Sequence, residues 1–316
     1  MTVFLSTLNQ MGFLFSLIII GYLLGKIKAV PDNTAQVLSK LENNVFVPAL
    51  VLGTFMENFT LAKITDYGSL VIGGLVVQVI MIPIAIGASR LLSKDSYIRK
   101  IYTYGLCFSN FGFMGNAVVK SIFGDAVFLE YLIFVIPFWT FIYVWAVPKL
   151  LIPNESTDKS VWSKIKPFIN PMFVAMVIGM ILGLTSLNLP AFITTSVNTL
   201  GDCMSPVAMI LTGVTVSKID LAKTFKKLSI YLVSIVRLIA IPVLAIAALY
   251  FLPLQKTLEI CIVCGLSMPL GLNTIVVPGA YGLDTSEASG MALISHLLSC
   301  LSIPLVFMAA EVLLFA

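Results

Sequence analysis

A chain of 316 residues that is 59% hydrophobic and 11% charged, with a mean hydropathy of +1.04, lies far from the soluble average of about 25% charged residues. It reads as an integral membrane protein. At about 20 residues per spanning helix it has room for ten spans and none for a soluble catalytic module. The formal net charge of +4 gains meaning once the charges are assigned to the two faces of a bilayer.

Apolar runs bounded by charges or turn residues predict spans near 5–25, 36–56, 67–91, 99–123 and 126–149, then 168–187, 192–216, 228–252, 256–281 and 287–314. The first, Leu5 to Gly25, has no basic region ahead of it and no small-residue cleavage site, so it reads as a retained span rather than a signal peptide. Pro153 to Pro167 mixes proline, asparagine, serine and charge, as loops do. It divides the chain into residues 1–150, a linker at 151–167 and residues 168–316. All five cysteines lie in apolar segments. The Cys261-x-x-Cys264 pair has no second pair and no nearby histidine, so the thiols read as small buried hydrophobes, with no metal and no cofactor expected.

The two units repeat. Ile20-Gly21-Tyr22-Leu23-Leu24-Gly25 matches Ile178-Gly179-Met180-Ile181-Leu182-Gly183, each followed by a proline, Pro31 and Pro190, at an offset of 158 or 159 residues. The same offset relates Pro48 to Pro206 and Met81-Ile82-Pro83 to Ala240-Ile241-Pro242. Val135-Ile136-Pro137 and Ser302-Ile303-Pro304 mark the fifth and tenth spans after an insertion of about eight residues.

Lysine and arginine are retained on the cytoplasmic side of short loops. With the N-terminus outside, 15 of the 19 basic residues fall inside. Lys63, Lys120 and Lys256 fall outside, and Arg237 lies within a span. Both termini are therefore expected to be extracytoplasmic, in a multi-pass protein of the cytoplasmic (inner) membrane. Five spans per unit make the second enter the membrane in the opposite sense to the first. The expected fold is an all-α polytopic membrane protein with ten transmembrane helices in two inverted five-helix repeats.

The fourth span carries Ser109, Asn110, Gly112, Gly115 and Asn116 at its middle, and the ninth carries Ser267, Pro269 and Asn273. Glycines, amides and a proline at mid-depth release backbone groups that lipid cannot satisfy, so helices 4 and 9 are expected to break and cross there around a substrate cavity. Half-helix N-termini at such a crossing favour an anion, and a carboxylate is the simple candidate. The expected substrate-binding residues are Asn110, Gly112, Gly115, Asn116, Ser267, Pro269, Asn273 and Arg237. Arg237, about 15 Å into the bilayer, is either the anion's counter-charge or the partner of Asp202. Asn44 occupies the place matching Asp202, four residues before its proline, and Glu42 reads as an interfacial partner of Lys40. His296, the single histidine, is a candidate proton carrier.

The sequence resembles the auxin efflux carrier family in S-N-F-G-F-M-G at 109–115, I-N-P at 169–171, P-A-L at 48–50, and S-M-P at 267–269 with Asn273. The resemblance covers essentially the whole chain. It implies a scaffold of spans 1, 2, 6 and 7, a transport unit of the other spans, a fold similar to bile acid:sodium symporters, and malate-, malonate- or auxin-like carboxylates as cargo. Where the family usually has proline, this chain has Ala117 after Asn116, and His296 stands where a small hydroxyl residue is common. The expected function is secondary active transport of a small organic anion by alternating access. A passive channel or a sodium-coupled carrier for another solute is the alternative. No H-E-x-x-H, paired intramembrane aspartates or nucleotide-binding loop is present, so no enzymatic activity is expected. The expected partners are the anion, H⁺ or Na⁺ as coupling ion and the lipid bilayer, with no nucleic acid; a homodimer is an open alternative to a monomer.

Overall fold

The computed structural model describes residues 2–59, 67–152, 171–185, 187, 189–218 and 226–315. The linker from 153 onward and Ile169 and Asn170 lie outside them. Among the described residues the protein is helical, with no strand beyond one isolated bridge.

In chain order the helices are α1 (Thr2–Lys26), α2 (Thr34–Leu41), α3 (Val47–Asn58), α4 (Gly68–Leu92), α5 (Ser96–Cys107), α6 (Asn116–Phe134) and α7 (Ile136–Phe141). After the linker come α8 (Pro171–Thr185), α9 (Ala191–Asp202), α10 (Met204–Val216), α11 (Leu228–Ile235) and α12 (Ile241–Leu249). The last three are α13 (Lys256–Ser267), α14 (Asn273–Ala280) and α15 (Ser286–Leu313). Wide, π-type turns lie at Glu42–Phe46, Phe111–Gly115, Ile142–Leu151 and Val236–Ala240. Pro48 and Pro242 follow two of these turns and Pro148 lies inside a third. Proline lacks an N–H and crowds the carbonyl four residues back, and a wide turn absorbs both defects without ending the helix.

Five described helical segments are long and apolar enough to cross a membrane, namely Phe4–Lys26, Gly68–Leu92, Ala191–Val216, Leu228–Leu249 and Ser286–Leu313. Counting the bent pair Ala126–Phe141 and Val144–Leu151 as one span makes six. The other predicted spans fall short for visible reasons. The second opens with a polar turn, described α8 has 15 residues, and the fourth and ninth are broken. Gly124, at φ 79°, kinks α6 between the predicted fourth and fifth spans, in backbone that only glycine adopts without strain.

Each Gly-x-x-x-Gly landmark is a packing seam. Gly21 rests on the Ile210 backbone and Gly213 on Ile18 and Tyr22, so α1 and α10 touch main chain to main chain. Gly179 meets Leu52 and Phe55, and Gly183 the Phe55 and Phe59 carbonyls, which joins α8 to α3 in the same way. Close approach of this kind recovers dispersion energy that lipid-facing side chains do not supply. The core, including Phe108, Phe111, Tyr131, Phe134 and Phe138, is buried around the two breaks. Ile72, Val76 and Ile80 on α4 and Val243 and Leu244 on α12 face outward.

Candidate functional site

Helix α5 starts on Asp95, whose carboxylate caps the Ile98 amide at 2.9 Å, and ends at Cys107. Phe108 is extended, and the chain resumes through the wide turn Phe111–Gly115 into α6. In the second half α13 ends at Ser267, Met268 is extended, and α14 starts at Asn273. The breaks lie against each other. Ser109 and Leu270 form an antiparallel bridge, and the Asn110 amide donates to the Pro269 carbonyl at 2.7 Å. The Ser109 hydroxyl donates to the Gly265 carbonyl at 2.7 Å. Groups that each broken helix releases are thus satisfied by the other, as a buried non-helical backbone in lipid requires.

Proline accounts for the second break, but the first has Ala117 where a proline was expected from the resemblance. Its geometry rests on two large side chains. The Trp139 ring lies 2.8 Å from where a Gly112 Cβ would stand, and the Tyr131 hydroxyl fills the place of a Gly115 Cβ. That hydroxyl donates to the Phe111 carbonyl at 3.1 Å.

Arg237, 0% exposed, donates from Nη1 to the Leu106 carbonyl at 2.8 Å, from Nε to Met268 at 3.1 Å and from Nη2 to Gly265 at 3.2 Å. Leu106 lies in the last turn of α5, Gly265 in the last turn of α13, and Met268 in the break beyond it. One guanidinium therefore covers the C-terminal ends of both half-helices, each carrying about half a negative charge. Of the two alternatives expected for Arg237, this excludes pairing with Asp202. That carboxylate is 72% exposed and lies 3.9 Å from Lys120.

Each broken helix also has an amide held by the other half. Asn110, 2% exposed, bonds from Nδ2 to Nε2 of His296 at 3.0 Å, while Nδ1 of His296 lies 2.7 Å from the Ala292 carbonyl. Asn273, half-buried, donates to the Tyr104 hydroxyl at 2.8 Å. Asn116 is buried at the start of α6, and among the described residues neither its Oδ1 nor that of Asn110 has a hydrogen-bond partner. Ser267 is turned back on its own helix, donating to Val263 at 2.6 Å. Asn44 is exposed and bonds the Lys40 carbonyl, so it stands apart from the crossing. Glu42 is buried and among the described residues neither carboxyl oxygen is partnered, in place of the expected interfacial pair with Lys40, because the wide turn is packed inward against α8, α9 and α10. Among the described residues no group of His, Cys, Asp and Glu could hold a metal ion.

Two clefts of about 330 Å³ lie beside α6 and α14, and none of the expected substrate-binding residues is on the wall of either. One lies between α3, α9 and α6, with Lys120, Glu57, Asn198 and Asp202 on its wall. The other lies between α2, α10 and α14, with Lys40, Lys218, Thr215 and Ile275. Tyr104, Tyr131 and Glu287 were missed by sequence reasoning. The Tyr102 hydroxyl donates to Glu287 at 2.6 Å and Lys227 pairs with its other oxygen, tying α5, α11 and α15 together at one end. A tyrosine hydroxyl in an apolar span needs a partner, and that was the available signal.

No curated protein matches the chain. The family described as membrane transport protein matches residues 6–307, so its match takes in both breaks, Arg237 and His296. With helices interrupted and bonded across the two halves, and with a match over nearly its whole length, the chain belongs to the membrane transport protein family, that of the auxin efflux carriers.

Proposed function

We propose that the protein is a secondary carrier for a small organic anion of the malonate or malate type, working by alternating access. Charge bookkeeping at the crossing carries this reading. Arg237 matches the two half-helix C-termini, which leaves the N-terminal ends of α6 and α14 uncompensated and drawing a negative charge. A sodium-coupled scheme is disfavoured at this point, because the carbonyls of Leu106, Gly265 and Met268 already serve a built-in cation.

The reading includes ten spans in two inverted repeats. At the sequence offset α3 corresponds to α10, α9 to α2, and the start of α6 to α14, so swapping the halves exchanges the two clefts. Lys120 on one wall corresponds to Gly279 on the other. A scaffold of spans 1, 2, 6 and 7, held by the glycine seams, then faces a moving unit that carries both breaks. Each cleft is a doorway for one side of the membrane. A passive pore needs no such exchange.

Thermal-shift screening of the purified protein against mono- and dicarboxylates and indole acids, with and without Na⁺, tests the cargo. A dicarboxylate should raise the melting temperature without Na⁺. Asn110→Ala and Asn273→Ala should each weaken its binding by about tenfold, the value of one neutral hydrogen bond of ~1.5 kcal/mol, and each should also lower the melting temperature, since His296 and Tyr104 lose a partner. Normal binding by both variants would move the site elsewhere.

Topology is checked separately. With 15 basic residues inside against three outside, a fusion at Ala316 should be active as alkaline phosphatase and dark as a fluorescent protein. The reverse pattern would invert the orientation.

A further inference from the structure

We infer that His296 and Asn110 form the proton-binding site of this carrier, a switch in which protonation of one imidazole turns one amide from acceptor to donor. The inference rests on the anion-carrier reading for its cargo. Its basis is the bonding of both ring nitrogens. Nδ1 faces the Ala292 carbonyl at 2.7 Å, which can only accept, so Nδ1 carries a hydrogen. With Nδ1–H fixed, a neutral ring has a bare Nε2, and Asn110 must present its NH₂ to it, as the 3.0 Å contact from Nδ2 shows. The Asn110 oxygen is then left buried, with no partner among the described residues.

A proton arriving at Nε2 reverses the requirement. The ring now donates from both nitrogens, and its best partner is the amide oxygen. A half-turn about the Asn110 side-chain amide bond to Cβ brings Oδ1 to Nε2–H and aims the NH₂ where Oδ1 stood. In the neutral state the crossing shows an incoming solute an unpaired acceptor, which repels a carboxylate. In the protonated state it shows a donor and one added positive charge, both of which favour a carboxylate. The balance is one proton per anion: it enters from the solvent on the loading side, sits on Nε2 while the anion is bound, and leaves to solvent on the other side as the anion departs.

The surroundings leave this role to His296. Besides His296, α15 carries Glu287, Cys300 and Glu311, and elements packed against it bring Tyr22 and Lys26 on α1, Tyr97, Arg99, Lys100, Tyr102, Tyr104 and Cys107 on α5, Lys120, Glu130 and Tyr131 on α6, Tyr231 on α11 and Arg237 on the wide turn. Glu287 is taken up by Tyr102 and Lys227. Helix α13 adds Lys256, Glu259, Cys261 and Cys264, whereas α10, α12 and α14 bring no titratable group. Lys26 is exposed at a helix end, Lys256 bonds the Phe315 carbonyl, and the three guanidinium bonds of Arg237 go to main chain. Among the described residues no carboxylate is bonded to the ring, so the amide of Asn110 is its responsive partner.

The chain has one histidine, so full-length protein labelled with ¹⁵N-histidine in nanodiscs gives one imidazole to observe. At neutral pH without solute, the ring should be protonated at Nδ1 and bare at Nε2. Saturating malonate at the same pH should protonate Nε2, and Asn110→Leu should keep the first state and lose the second. In proteoliposomes an inward proton gradient should concentrate labelled malonate. His296→Gln should abolish that accumulation. A ring that stays neutral with malonate bound, or one already protonated at Nε2 without solute, would overturn the proposal. Failure of malonate and the other carboxylates to bind would count against the cargo alone. Acid titration then decides the switch: the Asn110 amide signal, identified by its loss in Asn110→Leu, should move as Nε2 is protonated, and an unmoved signal would refute the proposal.

Discussion

Arg237→Met should destabilise the protein by about 2–6 kcal/mol, because it strands the buried Leu106 and Met268 carbonyls at about 1–3 kcal/mol each, while the Gly265 carbonyl keeps the Ser109 hydroxyl. Leu106, Gly265 and Met268 have this guanidinium as a shared donor, and lipid offers them no water in exchange. Arg237→Lys should recover only part of the loss, since an ammonium is a point charge without the planar fork that reaches three acceptors. Asp202→Asn, by contrast, should shift stability by less than about 1 kcal/mol, the usual range for an exposed pair. The double variant Arg237→Met with Asp202→Asn should melt like the single arginine variant. Fluorescence-detected melting of detergent-solubilised protein reads all four, and a rescue by Asp202→Asn would reinstate the Arg237–Asp202 pair.

Gly213→Leu is expected to be nearly as damaging. Any Cβ at Gly213 runs into the Ile18 carbonyl and the Tyr22 amide, which are backbone and cannot rotate away. Relief requires α1 and α10 to separate along their whole seam. Overpacking of a side chain alone costs about 1–3 kcal/mol, and here helix-to-helix contact is lost as well. Gly12→Leu and Gly87→Leu are the controls, because nothing lies within 4 Å of a Cβ at either place. Equal melting of Gly213→Leu and Gly12→Leu would show that the seam contributes nothing.

The sequence made the breaks legible because glycine, amide and proline at the centre of an apolar run have few other uses. Gly124 fell between two predicted spans for the same reason, as its positive φ ends a helix direction. Arg237 was recognised as exceptional, with the anion or Asp202 as its alternative partners. Its acceptors are main-chain carbonyls, which have no residue identity to read, so neither alternative pointed to them. Glu42 failed differently. A wide turn changes the angle between successive side chains, and a helical wheel drawn through Glu42–Phe46 assigns that face to the surface. The contact between Asn110 and His296 spans 186 residues, so the broken span and the lone histidine were each visible while their meeting was not. The Gly-x-x-x-Gly landmarks were read as signs of a repeat, and their physical cause, main chain resting on main chain, required the packed helices.

Arg237 also fixes the order in which the molecule can be finished. Ribosomal synthesis delivers α5 to the membrane well over a hundred residues before the guanidinium that caps it exists. Until α11 and the turn after it are inserted, the Leu106 carbonyl has no donor from Arg237, and the first break has no Pro269 carbonyl to bond. The first half therefore waits in the bilayer as an incomplete assembly. Its maturation is completed by the second half, so a ribosome stalled before residue 237 leaves a substrate for membrane quality control rather than a smaller working protein.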